Sequence, residues 1–152
     1  MKITFVLPGF IKVPMGGVKT VNKLARYLAQ KGHKVTLVYP RRIGQGKLYF
    51  IKRFLVSLFE KCSGVKDELY YQPPSGVDAL IVNSIQTEAL PDADAIIACG
   101  WQTAEAVNKL NAACGKKFYF LQSWETYFNN SEKILSTYHL PLKKIAVAQW
   151  IE

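Results

Sequence analysis

The first forty residues constrain this chain more than any other stretch. An apolar run, Ile3-Thr4-Phe5-Val6-Leu7, breaks at Pro8-Gly9, and the loop that follows ends in Gly16-Gly17. From 18 to 31, Val18, Val21, Leu24, Ala25, Leu28 and Ala29 recur at helical spacing, with Lys19, Asn22, Lys23, Arg26 and Gln30 elsewhere on the helix. Gly32 ends that helix, and a second apolar run, Val35-Thr36-Leu37-Val38-Tyr39, begins. A strand, a glycine loop, a helix and a second strand in this order open a doubly wound sheet. The chain therefore reads as one α/β domain, Rossmann-like, with a mostly parallel sheet.

The remainder continues the alternation. Short apolar runs at 79–82, 95–98, 118–121 and 144–147 read as strands, and 101–111 and 131–138 read as helices. A further helix is expected over 47–61. Leu48, Phe50, Ile51, Phe54, Leu55, Leu58 and Phe59 share one broad arc, and Lys52, Arg53, Ser57 and Glu60 the opposite one. Two readings of it stand. It covers a face of the sheet, or it lies in a membrane interface with its cations on anionic headgroups. Residues 148–152 read as the first turn of one more helix, from which the chain is expected to be a fragment of a longer protein.

With 152 residues, 49% of them hydrophobic and 20% charged, the chain has enough for one well-filled core, and disorder is excluded. A formal charge of +9 favours anionic partners: a nucleotide, a phosphorylated lipid, a membrane surface or nucleic acid. The basic residues are scattered rather than interleaved with aromatics in a recognisable motif, so no nucleic acid is expected. Cys62, Cys99 and Cys114 are odd in number and far apart, and there are two histidines, His33 and His139. That composition suggests neither a disulfide framework nor a metal site. The apolar N-terminal run is too short for a signal peptide, and no segment reaches the ~20 apolar residues of a membrane span. A cytoplasmic protein is expected, peripheral on the inner membrane face if the 47–61 helix meets lipid.

Three segments fall at strand carboxyl ends, where open α/β sheets bind ligands. They are the loop with Gly16-Gly17, Cys99-Gly100-Trp101-Gln102, and Gln122-Ser123-Trp124-Glu125. The glycine pair has two readings, a phosphate cradle at a helix N-terminus or a tight strand-to-helix turn. It is not G-x-G-x-x-G, and Val18-Lys19-Thr20 lacks the glycine that precedes a P-loop lysine. The other two segments bring two tryptophans, two glutamines and a carboxylate to the same crevice. Aromatic faces beside amide and carboxylate groups suit a sugar, whose C–H faces pack on rings while its hydroxyls take paired donors and acceptors. Trp101 and Trp124 also read as core residues at the rim. His33 lies at the amino end of the sheet and reads as a packing or capping residue; His139 lies beyond the strands.

These residues resemble a known family. The pattern G-G-V-x-x-V-x-x-L-A-x-x-L-x-x-x-G-H-x-V within residues 2–39 is similar to the N-terminal domain of GT-B glycosyltransferases, closest to the retaining family-four group. The likeness continues through Asp92-Ala93-Asp94-Ala95-Ile96-Ile97-Ala98. In 118–128, Tyr119, Gln122, Glu125, Tyr127 and Phe128 resemble the Y-x-x-Q-D-x-E-x-Y-F segment of rhamnan-type members, with Ser123 in place of the aspartate. Many relatives carry a histidine after the fourth strand or the next; here those positions read Cys99-Gly100-Trp101 and Gln122-Ser123-Trp124.

The resemblance implies the acceptor-side half of an enzyme that moves a sugar from a nucleotide-sugar donor to a glycan or lipid-linked acceptor, with retention. Gly16 and Gly17 would approach the donor diphosphate, while Trp101, Gln122, Trp124 and Glu125 would line the acceptor side. It implies no cofactor and no metal, and it leaves the catalytic side chain unassigned. The donor-binding C-terminal domain is absent from the sequence, so this half alone is expected to be inactive. The competing reading is a stand-alone binding or regulatory domain of flavodoxin-like type.

Overall fold

The structure, a computed structural model, describes residues 1–9, 15–43, 71–127 and 131–149. The helix expected over 47–61, its membrane reading, Cys62 and the last three residues of the expected closing turn lie outside the described residues.

Six parallel strands form one sheet: β1 (Lys2–Val6), β2 (Lys34–Pro40), β3 (Val77–Val82), β4 (Ala95–Ala98), β5 (Lys116–Leu121) and β6 (Lys143–Ala146). Their spatial order is β3-β2-β1-β4-β5-β6. That is the Rossmann order, distinct from the flavodoxin-like order in which β1 lies between β2 and β3. Among the described residues the helices are α1 (Gly16–Gln30), α2 (Trp101–Lys109) and α3 (Ser131–Tyr138). The fold is thus Rossmann-like α/β, and the sheet is parallel throughout rather than mostly so.

Strand register explains the core. Leu37, Phe5 and Ile97 are lateral neighbours across β2, β1 and β4, and Phe118 of β5 continues the row. This row lies under Val18, Val21 and Ala25 of α1. One residue further along, Val38, Val6, Ala98 and Tyr119 form the matching row on the other face, with Ala104 and Val107 of α2. Each fully buried Leu or Phe contributes roughly 2 kcal/mol. Burial on both faces therefore selects the continuous apolar runs of β1, β2 and β4.

The helix ends have local causes. At the end of α1, Gly32 turns with φ +84°, and its N–H donates to Ala29 O at 2.9 Å. The Lys117 ammonium donates to the Asn108 carbonyl at 2.7 Å and to the Leu110 carbonyl, which satisfies acceptors left over at the end of α2. At the amino edge of the sheet, His33 Nδ1 lies 3.4 Å from the N-terminal amine, on the side away from the strand carboxyl ends. Cys99 closes β4: its N–H donates to Val6 O at 3.0 Å, and its thiol is buried and pushed well up by that burial. Among the described residues, no helix is long and apolar enough to cross a membrane.

Candidate functional site

The connections out of β1 and β4 diverge. The chain leaving β1 runs through α1 to β2, and the chain leaving β4 runs through α2 to β5, on the opposite face of the sheet. Between those two carboxyl ends lies the crevice that such a reversal creates, and it is the expected ligand position in an open α/β sheet.

Gly16 and Gly17 are the first two residues of α1. A side chain at Gly16 would meet nothing within 4 Å among the described residues. Gly17 is different. A Cβ there would sit 3.2 Å from both Nε2 and Oε1 of Gln122, so the absence of a side chain lets α1 close on the glutamine that follows β5. Met15 precedes the helix in extended conformation without a side-chain cap bond, and the first turn carries no acidic residue. The N–H groups of that turn keep the partial positive charge of a helix start.

The second helix start is built otherwise. Gly100 is its N-cap and offers no side-chain oxygen, and Glu125, 24 residues after Trp101, supplies one. Its Oε2 accepts from the Trp101 N–H at 3.1 Å and from the Tyr119 hydroxyl at 3.1 Å. The Glu125 N–H donates to the Tyr138 hydroxyl at 3.1 Å. Tyr138 in turn meets the Trp124 ring, centroids 5.3 Å apart, and Lys133 places its ammonium 5.9 Å from the Trp101 ring centre. One carboxylate thus joins α2, β5 and the loop after β5, and its own amide reaches α3.

Burial governs the titration of this cluster. It raises the Glu125 carboxyl, while the Trp101 N–H and the Tyr119 hydroxyl pull in the other direction. Tyr119 is pushed far above an ordinary phenol, chiefly by burial and further by the Glu125 charge. Tyr138 moves up for the same first reason.

Among the described residues, three buried polar atoms of the segments that follow β4 and β5 lack a hydrogen-bond partner: Trp101 Nε1, Gln102 Oε1 and Gln122 Oε1. Such atoms are uncommon in a folded core. Here they offer one donor and two acceptors, a set that two hydroxyls can satisfy, because each donates one hydrogen bond and can also accept.

The expected site residues fall into two contacting pairs and two at the margin. Gly17 meets Gln122, and Trp101 meets Glu125. Trp124 is 42% exposed and reaches the cluster through Tyr138, while Gly16 stands open at the head of α1. Sequence reasoning placed Tyr119 in the resembling segment without a site role and did not single out Tyr138. The signal for Tyr119 was its alternation in β5 with Phe118 and Phe120, which turns a hydroxyl toward the α2 face. Among the described residues, no three His, Cys, Asp or Glu side chains gather as metal ligands. Compared with protein-family models and with curated proteins, the chain matches neither a family model nor a curated protein.

Proposed function

We propose that this chain is the N-terminal, acceptor-side domain of a retaining GT-B glycosyltransferase, moving a sugar from a nucleotide-sugar to a glycan or lipid-linked acceptor. The observation that carries the reading is the pairing of Gly17 with Gln122 at the sheet's reversal, beside buried polar atoms of Trp101 and Gln102 that lack partners among the described residues. A polyhydroxylated ligand fits those atoms and the neighbouring rings. The head of α1 fits the leaving diphosphate, since helix N–H groups stabilise developing negative charge without a metal. In this reading a second domain supplies most of the nucleotide site, and the acceptor enters past Trp124.

Glu125 enters the proposal through its bonds. Its Oε2 holds the start of α2 and the Tyr119 hydroxyl, so it orders the acceptor wall rather than acting as a free base. The test is a transfer assay on protein containing both domains, against UDP-, GDP- and dTDP-sugars with a lipid-linked acceptor. It is paired with calorimetry of those donors on the 152-residue chain. Transfer by the longer protein with weak donor binding by this domain is the expected result. Low-micromolar donor binding by the domain alone would move the nucleotide site here, and absence of transfer with every donor would remove the transferase reading.

A further inference from the structure

The charge of this chain is divided along its length. Twelve of the twenty basic residues and none of the eleven acidic ones precede Glu60, so the first 59 residues carry +12 and the remainder −3. In the fold, the described part of that basic stretch is β1, α1 and β2. Of its eight described basic residues, all exposed, Lys2, Lys34, Arg41 and Arg42 stand at the ends of β1 and β2, and Lys19, Lys23, Arg26 and Lys31 are gathered along and just past α1.

α1 contains no Asp or Glu. Its inner residues Val18, Val21 and Ala25 are buried against the sheet, while Lys19, Lys23, Arg26 and Gln30 are exposed. At 100° per residue those four fall within roughly 60° of arc, a straight stripe about 17 Å long. Met15 and Tyr27, 42% and 55% exposed, flank it on either side. Lys31 extends the charge beyond the last turn, its ammonium 5.5 Å from the Tyr27 ring centre.

We propose that this outward face of α1 docks on an anionic lipid surface. A flat stripe of three cations and a glutamine, free of carboxylates and with an aromatic and a methionine at its margins, matches a plane of headgroups, where cations meet lipid phosphates and the flanking side chains enter the interface. The geometry also sets an orientation. The stripe begins three residues after Gly16, so docking along α1 brings the crevice at its head to the membrane surface. Nucleic acid is the less suited partner, because the stripe provides no groove and no row of stacking rings. The inference holds whether or not the crevice transfers sugar.

Vesicle co-sedimentation of the 152-residue chain tests it. The probes are phosphatidylcholine vesicles with and without 30% phosphatidylglycerol, taken as roughly the charge density of an anionic leaflet. Binding to the anionic vesicles that weakens with salt is expected. Each basic residue near such a surface contributes on the order of fivefold. Lys19→Gln with Lys23→Gln and Arg26→Gln should therefore lower partitioning by roughly a hundredfold, with the circular dichroism spectrum unchanged. The control removes equal charge elsewhere: Lys109→Gln, Lys116→Gln and Lys143→Gln, all exposed, should change it by about threefold or less. Equal losses from the two triple variants would reduce the effect to net charge and overturn the proposal. So would unchanged binding by the α1 variant, or tighter binding to a single-stranded oligonucleotide than to the anionic vesicles.

Discussion

At the scale of single residues, two adjacent glycines do different work. Gly16 meets open space and Gly17 meets a carboxamide. Gly16→Ala should stabilise the domain by about 0.5 kcal/mol, since alanine suits a helix better than glycine and nothing obstructs its methyl. Gly17→Val should leave stability within about 1 kcal/mol, because the end of Gln122 can swing aside. In the two-domain protein, however, it should lower turnover at least about tenfold by displacing that amide from the crevice. Denaturant melts beside steady-state kinetics read both variants. A Gly17→Val protein that unfolds readily while its soluble fraction keeps full specific activity would make this glycine structural.

Glu125 carries a sign that can be checked. Its carboxyl is raised in the fold, so below the raised value the folded chain holds a proton that the unfolded chain has already released. The penalty of keeping it charged is present at neutral pH and is relieved as pH falls toward the ordinary glutamate value of 4.5. Relative to the Glu125→Gln variant, the parent protein should therefore gain stability between pH 7 and about 4.5, followed by urea unfolding. A loss over the same range would mean that the hydrogen bonds to the charged form outweigh burial. Sequence alone placed Glu125 at the right end of the sheet but did not reveal this role. Its partners Trp101 and Tyr119 come from other elements, and they meet it only once β4 and β5 pair.

At the scale of elements, the sequence was most readable where periodicity and glycine agreed. β4 at 95–98 and α3 at 131–138 coincide with their apolar patterns to the residue, and α1 begins two residues earlier than its apolar stripe because the glycine pair enters the first turn. What could not be read was lateral order. Phe118 faces Ile97, and Ile97 faces Phe5, through pairing that no local pattern encodes. Gly115 is the element-level constraint on the entry to β5. It enters β5 with φ +78°, and a Cβ there would stand 2.3 Å from the Ala93 carbonyl oxygen, where β4 begins. Gly115→Ala combines a strained backbone with a clash against main chain, and it should destabilise the domain by on the order of 3 kcal/mol. A thermal midpoint unchanged within about 2 °C would show that the entry to β5 relaxes at no cost.

At the scale of the whole molecule, the sheet is asymmetric in protection. β1 and β4 lie at its centre with every residue after Lys2 buried, whereas β3 and β6 are edges that expose Ile81 and Ile145. Amide exchange should therefore be slowest in β1 and β4 and fastest in the edge strands β3 and β6, each of which pairs on one side only. Uniform protection across all six strands would mean that the edges are covered in solution. The Rossmann-like class was legible because a β–α–β opening with a basic helix admits few alternatives. The crevice was legible as three strand ends, but not as a Gly17–Gln122 contact across 105 positions of chain.

Cys99 gives this architecture a built-in clock. Its thiol lies beneath α1 in the same apolar layer as Leu7, Val18 and Tyr39, shut off from solvent and held in its unreactive protonated form by burial. An alkylating reagent can reach it only when the layer separates, so its labelling rate in native buffer counts excursions in which α1 lifts from the sheet. A molecule seated at the head of α1 and against Gln122 would have to leave, or at least loosen, before such an excursion. Saturating ligand should then slow the labelling of Cys99 by the factor 1 + [L]/Kd, which turns a buried side chain with no part in recognition into a quantitative meter of it.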